Sequence, residues 1–250
     1  MSATGIGSDT NEPAAGPAHT LTDHLTELRV RIIRCAWAIA ICTVLCWIIS
    51  PQLFNIVRAP IAPYLPNGGL VFTSPMDKFL AHMKLAVLGG VIIACPIWIH
   101  QLWMFVAPGL YSHEKKYSMM FIGAGTTLFL TGVCFVYFIV LPMAFKFLLT
   151  FGGDVDKPMI TIKEYMSFFV TTTLVFGAAF ELPLVIVLLA AIGLVDQKTL
   201  RAKRRFALVG IAVLSAVITP PDLLSMMMLL VPLYGLYEIS IILVGTLKKK

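Results

Sequence analysis

Long apolar runs alternate with short polar breaks along almost the whole chain. Runs rich in Leu, Ile, Val and Phe occupy about 32–50, 79–99, 117–141, 165–195, 206–219 and 223–247. None shows the period-two alternation of a barrel strand, so each reads as a helix. Before the first run, Leu21, Leu25, Leu28 and Ile32 recur at helical spacing, with Glu27, Arg31 and Arg34 on the opposite face. Thr20 or Thr22 can cap that helix, and Asp23 lies near its positive end. Residues 21–31 therefore predict an interfacial helix that runs into the first span. Residues 1–20 hold Ser, Thr, Gly, Ala and Pro, two acids and no Lys or Arg. Without a basic start this is no signal peptide, and it reads as a disordered tail ahead of a single membrane domain, 21–250.

The runs differ in length, and that predicts a shape. A straight helix from Tyr165 to Asp196 would extend ~46 Å, and one from Phe206 to Thr219 only ~20 Å, at 1.5 Å per residue. A hydrocarbon core is about 30 Å thick. The fourth span must tilt or bend, and Pro183 offers a place to do so. The fifth cannot cross without thinning the bilayer or leaning on neighbours. The fold expected is all-α, six transmembrane helices in a lopsided, concave bundle. No repeat of three plus three helices is visible.

Composition agrees with the pattern. Hydrophobic residues make up 58% of the chain, charged residues 13%, and mean hydropathy is +0.89, a polytopic membrane protein by these measures. Basic residues set the orientation. Arg29, Arg31, Arg34, Lys115, Lys116, Lys198, Arg201, Lys203, Arg204, Arg205 and Lys248 to Lys250 fall on one side, thirteen of the 19. The positive-inside rule makes that side cytoplasmic and puts both termini there. The net charge of +6 thus faces membrane lipids and not nucleic acid.

Enzyme signatures are missing: no GxxxxGK[ST] phosphate loop, no HExxH, no GxSxG turn. The five histidines share no metal-ligand spacing, and the five cysteines fall inside or beside apolar runs. Neither a catalytic residue, a metal site nor a cofactor is expected. Glu181, in FELPLVIVLL, lies about 22 Å of helix from Asp196. A charge that deep costs about 2.5–3.5 kcal/mol on insertion scales, so it should face protein or a wet cavity. A protonated carboxyl bonded to a neighbouring helix and a functional contact both remain open. Glu238, about 15 Å from the tail lysines, suits a bond within the bundle.

Between the second and third runs lies FVAPGLYSHEKK, Phe105 to Lys116, a Pro-Gly turn with aromatics at both ends and Glu114 among His113, Lys115 and Lys116. Glu27 and Glu114 share the cytoplasmic rim with aromatic and apolar residues. Each has a plain explanation, Glu27 as an i,i+4 partner of Arg31 worth ~0.2–0.5 kcal/mol and Glu114 as a solvated charge. Together they suit a ligand that combines guanidinium groups with an apolar helix. A different reading is a secondary transporter or proton channel that uses Glu181 and Glu238 as a relay.

HLTELRVRII (24–33), RAPIAPYLP (58–66), FTSPMDKF (72–79), FVAPGLYSHEKK (105–116), AFELPLVIVLL (179–189), LRAKRR (200–205) and ITPPD (218–222) stand in the order and spacing of the TatC family. The chain resembles that family over about residues 20–247. The resemblance implies the receptor and core subunit of a twin-arginine translocase, which exports folded proteins across the prokaryotic cytoplasmic membrane on the protonmotive force. It implies that Glu27, Arg29, Phe105, Leu110, Glu114 and Lys116 bind twin-arginine signal peptides, and that Pro60 shapes an outer loop. It places Glu181, Thr219, Asp222 and Met226 where single-span TatA-like and TatB-like partners dock, and it implies self-association in the receptor complex. Two positions depart from the family's pattern. Lys116 stands where Arg is frequent, a point charge without a planar fork, and Met226 stands where a polar Gln occurs among relatives.

Overall fold

The computed structural model describes residues 17–65, 69–106, 115–150, 159–218 and 223–247. The helices are α1 Pro17–Ile48, α2 Ser50–Arg58, α3 Pro75–Ile93, α4 Cys95–Val106, α5 Lys115–Phe135, α6 Leu141–Thr150, α7 Ile162–Phe180, α8 Leu182–Ala191, α9 Gln197–Ala202, α10 Arg204–Ile218 and α11 Leu223–Leu247. They compose six helical passes: α1, α3–α4, α5–α6, α7–α8, α10 and α11. The fully buried residues at the centre include Val136, Leu141, Tyr165, Met166, Phe176, Leu229, Leu233 and Ile241.

Proline accounts for most of the interruptions. Pro96 has no N–H for the carbonyl of Ile92, and its ring crowds that carbonyl. The second pass accordingly bends by 57° between α3 and α4, at Ala94, whose N–H still reaches Gly90 O at 2.9 Å. The helical run expected over about 79–99 is thus a bent pair reaching from Pro75 to Val106. Pro142 does the same to the third pass more gently. A π turn at Val136–Val140 absorbs the lost bond and the helix continues to Thr150, nine residues past the expected end at 141. In the fourth pass Pro183 sits in the first turn of α8 and the break falls at Glu181, where the N–H turns to Ala178 O at 3.1 Å. At the other end of α8 the chain turns through Gly193, whose φ of +79° is left-handed backbone that glycine adopts without strain.

The first pass differs from expectation at its start. The interfacial segment and the first span form one continuous helix from Pro17, because proline is tolerated at a first helical position. Thr20 and Thr22, expected as caps, therefore lie inside it, and residues 1–16 of the expected tail lie outside the described residues. Along Leu25–Ile48 only 6% of the span is buried, against 39% in each of Met119–Thr150, Ile162–Ala191 and Met226–Thr246. Its inner edge packs on α3 and α4. Close approach there depends on glycine: a side chain at Gly90 would place its Cβ 2.8 Å from Thr43 N. The short fifth pass is as expected, α10 spanning 15 residues.

The end of the bundle away from the termini is braced by polar contacts that the hydropathy pattern does not announce. Tyr165 donates its hydroxyl to Val57 O, and Tyr137 donates to Ile56 O at 2.9 Å. These carbonyls belong to the last turn of α2, where the helical ladder runs out; Ile56 O also accepts from Ala59 N at 3.1 Å. Val71 pairs with the opposite connection, its N–H donating to Ile160 O at 3.0 Å and its carbonyl accepting from Ile162 N at 2.8 Å. Ser74 and Asp77 of the TSPMD segment form a capping box at the start of α3. Asp77 Oδ2 accepts from Ser74 N at 2.8 Å, Thr73 Oγ1 at 3.0 Å and Thr73 N at 3.1 Å, which satisfies donors that a helix start leaves open. Pro60 is half-buried in the turn after α2, next to the fully buried Ile61.

Candidate functional site

Glu181 lies at the junction of α7 and α8, where it faces the second and third passes. Its carboxyl borders a pocket of about 250 Å³ lined by Trp98, Leu102 and Trp103 of α4, Phe121 of α5, and Leu184 and Leu188 of α8. One oxygen, Oε1, is buried without a hydrogen-bond partner. The other is crowded by α5: a Cβ at Gly125 would stand 3.3 Å from Oε2 and 3.1 Å from Ile99 and Leu184. Glycine at this position lets the carboxyl reach the helix surface. A carboxyl with a free acceptor in a mostly aromatic and aliphatic wall can take a hydrogen bond from a polar group on an apolar visitor.

The bend of the second pass builds that wall. Trp98 Nε1–H donates to Val91 O at 3.0 Å, a carbonyl next to the break at Ala94. The bond fixes the indole so that its ring packs edge-on against Phe129, with centroids 5.2 Å apart. Trp103 stacks on Phe121 at 4.2 Å between centroids. Sequence reasoning missed these aromatics. Their signal was present: Trp98, Leu102 and Phe105 at helical spacing, with Trp103 alongside, between Pro96 and the loop.

At the end that carries the termini, Glu27 is half-buried and accepts from Arg31 Nε at 3.0 Å. That is the i,i+4 pair the sequence allows. Arg29 is exposed, and Phe105 is half-buried at the end of α4. Packing of α1 on α4 sets the helix of Glu27 and Arg29 beside that of Phe105. Leu110 and Glu114 lie outside the described residues. Lys116 is in the first turn of α5, with its side chain outside them. Thr219 and Asp222 also lie outside them, and Met226 is half-buried in the first turn of α11.

Glu238 is bound on both oxygens. Arg204 Nη2 donates to Oε2 at 2.6 Å and Tyr234 donates its hydroxyl to Oε1 at 2.9 Å. Two neighbouring bonds tie the same elements together: Tyr237 donates to Leu200 O at 2.9 Å and Gln197 Nε2 to Ile241 O at 3.2 Å. Arg204, read from sequence only as part of an orientation signal, thus anchors the link between the fourth and fifth passes onto the sixth. No group of three or more His, Cys, Asp or Glu suited to a metal occurs among the described residues.

Residues 23–232 match the family described as Sec-independent protein translocase protein (TatC). The chain belongs to the TatC family. Relatives of that name agree over nearly its full length. The Desulforapulum autotrophicum protein is 39% identical over 222 residues, covering 88% of this chain and 82% of its own. The Azotobacter chroococcum protein is 36% identical over 233 residues, 93% and 91% of the two chains, and that of Escherichia coli is 34% identical over 222 residues, 88% and 86%. A crystal structure of the twin-arginine translocase receptor TatC superimposes with a TM-score of 0.82 at 36% identity, covering 91% of this chain and 100% of that one. As a TatC protein the chain is a multi-pass membrane component of a protein translocase, a transport protein and not an enzyme.

Proposed function

We propose that this TatC protein is the signal-peptide receptor of its translocase. The cytoplasmic rim takes the twin arginines and the Glu181 pocket takes part of the apolar helix that follows them. The observation that carries this reading is the continuity of α4. Phe105, at the rim, is two residues from Trp103, which lines the pocket that Glu181 borders. A ligand whose basic end sits at Glu27 and Glu114 can therefore pass its apolar part along one helix toward the free acceptor that Glu181 Oε1 offers. Arg29 and Lys116 frame the rim and keep it net basic, which leaves room for acidic lipid headgroups around a narrow acidic spot. Leu110 and Phe105 offer apolar contact beside the charges.

In this reading single-span TatA-like and TatB-like partners approach Glu181 and the edge formed by α10 and α11, with Thr219, Asp222 and Met226 near its far end. A helix of 15 residues covers about 22 Å of an about 30 Å core, and a partner helix shields the polar backbone this leaves below the interface. Self-association of the receptor and export driven by the protonmotive force belong to the same proposal, as does the placing of both termini in the cytoplasm. A relay from Glu181 to Glu238 has less to support it, since Glu238 is already bonded to Arg204 and Tyr234.

The rim is tested through Glu114. A charge-assisted arginine pair contributes ~1.5–3 kcal/mol, so Glu114→Ala weakens signal-peptide crosslinking by about an order of magnitude while the protein still inserts. Unchanged crosslinking at equal protein levels sinks the assignment. For the partner edge, cysteines at Ala216 and Met226 crosslink to a partner's helix more than one at Leu128 on the third pass. Equal labelling at all three sites means that partners have no preferred edge.

A further inference from the structure

The breaks at Ala94 and Glu181 lie in different passes, and the side chains between them form one continuous line of contact. Among the described residues, Cys95, Ile99 and Phe129 make a small core apart from the main one, with Trp98 packed against it. Trp98 joins this core to the first break. It belongs to α4, yet its Nε1–H donates to Val91 O in the last turn of α3. The bond reaches back seven residues and closes across the bend. It therefore holds α4 at its angle to α3 as much as it holds the indole.

Phe129 carries the contact onward. It is 2% exposed, and its ring meets Trp98 edge-on at one side and the backbone of α7 at another. A Cβ at Gly177 would stand 2.6 Å from Phe129 Cε2 and 3.0 Å from Cζ. With glycine there, the ring bears on α7 directly and no side chain lies between to give way. One at Gly132 would stand 2.8 Å from Phe176 O, so α5 and α7 also run backbone to backbone. Close-packed contacts of this kind pass a displacement on instead of absorbing it. Gly177 is in the last turn of α7, one turn before Glu181. Pro183 interrupts the helical ladder just beyond, so that turn can tilt relative to α8.

We infer that Trp98 and Phe129 couple the two breaks, so that the angle of α4 against α3 sets where the Glu181 carboxyl stands, and the reverse. Both are positioning residues: Trp98 clamps the bend and Phe129 transmits it. Helix α4 ends beside Phe105, so the coupling joins the rim to the Glu181 pocket. That these two places bind a ligand is the proposed function. The coupling rests on the contacts alone and is measured without a ligand, so either can fail without the other.

Distances between nitroxide pairs, measured by double electron–electron resonance on the full-length protein in lipid nanodiscs, test this. Nitroxides carried on p-acetylphenylalanine leave the native cysteines in place. One pair, at Met83 and Met104, straddles the first break, and the other, at Met143 and Val185, reads α8 from the third pass; all four sites are exposed. With a bend of 57° the first pair is ~28 Å apart along the helix axes, against ~32 Å in a straight helix. Trp98→Phe keeps a ring against Phe129 but removes the donor to Val91 O. It lengthens the first distance by up to ~4 Å and moves the second with it. In a Phe129→Leu background, Trp98→Phe still moves the first distance and leaves the second unchanged. Pro183→Ala leaves both aromatics intact and supplies the N–H missing at the second break. It moves the first distance, because coupling is reciprocal. If Trp98→Phe moves neither distance, the bond does not set the bend; if it moves only the first, Trp98 is a local clamp. Either result overturns the inference. A second distance that follows Trp98→Phe equally with and without Phe129 overturns the route through that ring. A first distance unmoved by Pro183→Ala overturns the coupling, however the Phe129 variant folds.

Discussion

At the end of the bundle away from the termini, the carbonyls of Ile56 and Val57 take hydroxyls from the third and fourth passes, and Asp77 accepts from two neighbouring residues. In the Glu181 pocket, by contrast, a buried carboxyl oxygen has no partner and the walls are rings and aliphatic chains. Both regions are built at breaks in helices, yet one closes its open backbone and side-chain groups while the other keeps an acceptor available. Buried polar groups are costly when unpaired, so a fold that leaves one free needs rigidity elsewhere. The comparison sets a closed, stabilising end against a pocket to which the proposed function gives ligand contact, and it can be tested one residue at a time.

The largest effect on stability should come from Tyr165, which is 2% exposed and also packs on Phe145 at 5.5 Å between centroids. Tyr165→Ala removes a buried ring and leaves Val57 O unpaired, a loss of about 3–5 kcal/mol. It should appear as a lower unfolding midpoint in detergent. An unchanged midpoint breaks the comparison at its stable end. Arg204→Ala comes next. The Arg204 and Glu238 side chains are 44% and 29% exposed, so the pair contributes only ~0.2–1 kcal/mol and less in high salt. A loss well above that range would mean that the tie between α10 and α11 carries more of the fold than the far end does. The smallest change in stability is expected at Glu181. Glu181→Gln preserves shape and hydrogen bonding, so the unfolding midpoint should stay within ~0.5 kcal/mol and export should persist, whereas Glu181→Leu should lose export. Equal loss in both variants would favour titration over contact as the role of this carboxyl.

The six passes were legible because hydrophobic length is a strong signal, and Glu181 because an acid within such a run has few explanations. What escaped was set by geometry finer than hydropathy. Helix α2, Ser50–Arg58, was hidden because it follows the first span after a single residue and mixes Gln52 and Asn55 with apolar positions. The bend at Ala94 was missed although Pro96 was in plain view, since proline fixes a lost bond but not an angle. Pro183 marked the fourth pass correctly as a place to yield, with the break two residues earlier, at Glu181. The Arg204–Glu238 pair joins residues 34 apart in sequence, and charge counting assigns such an arginine to the surface. The rim was legible only in part through its residues: Glu27 and Phe105 stand on neighbouring helices, and Leu110 and Glu114 were named by family resemblance and loop composition.

The brevity of α10 bears on how the molecule is made. A segment of 15 residues, opening with Arg204 and Arg205, is too short to settle across a bilayer unaided while the ribosome is still extending it. Helix α11, 25 residues long with a single interior proline, has the length to do so. The two are separated by only four residues, 219–222, so they enter as a hairpin in which the later helix carries the earlier one. The edge formed by α10 and α11 is therefore completed after the other four passes are already in the membrane. In the proposed reading, a partner helix docks on that edge only once α11 has been made and has drawn α10 across.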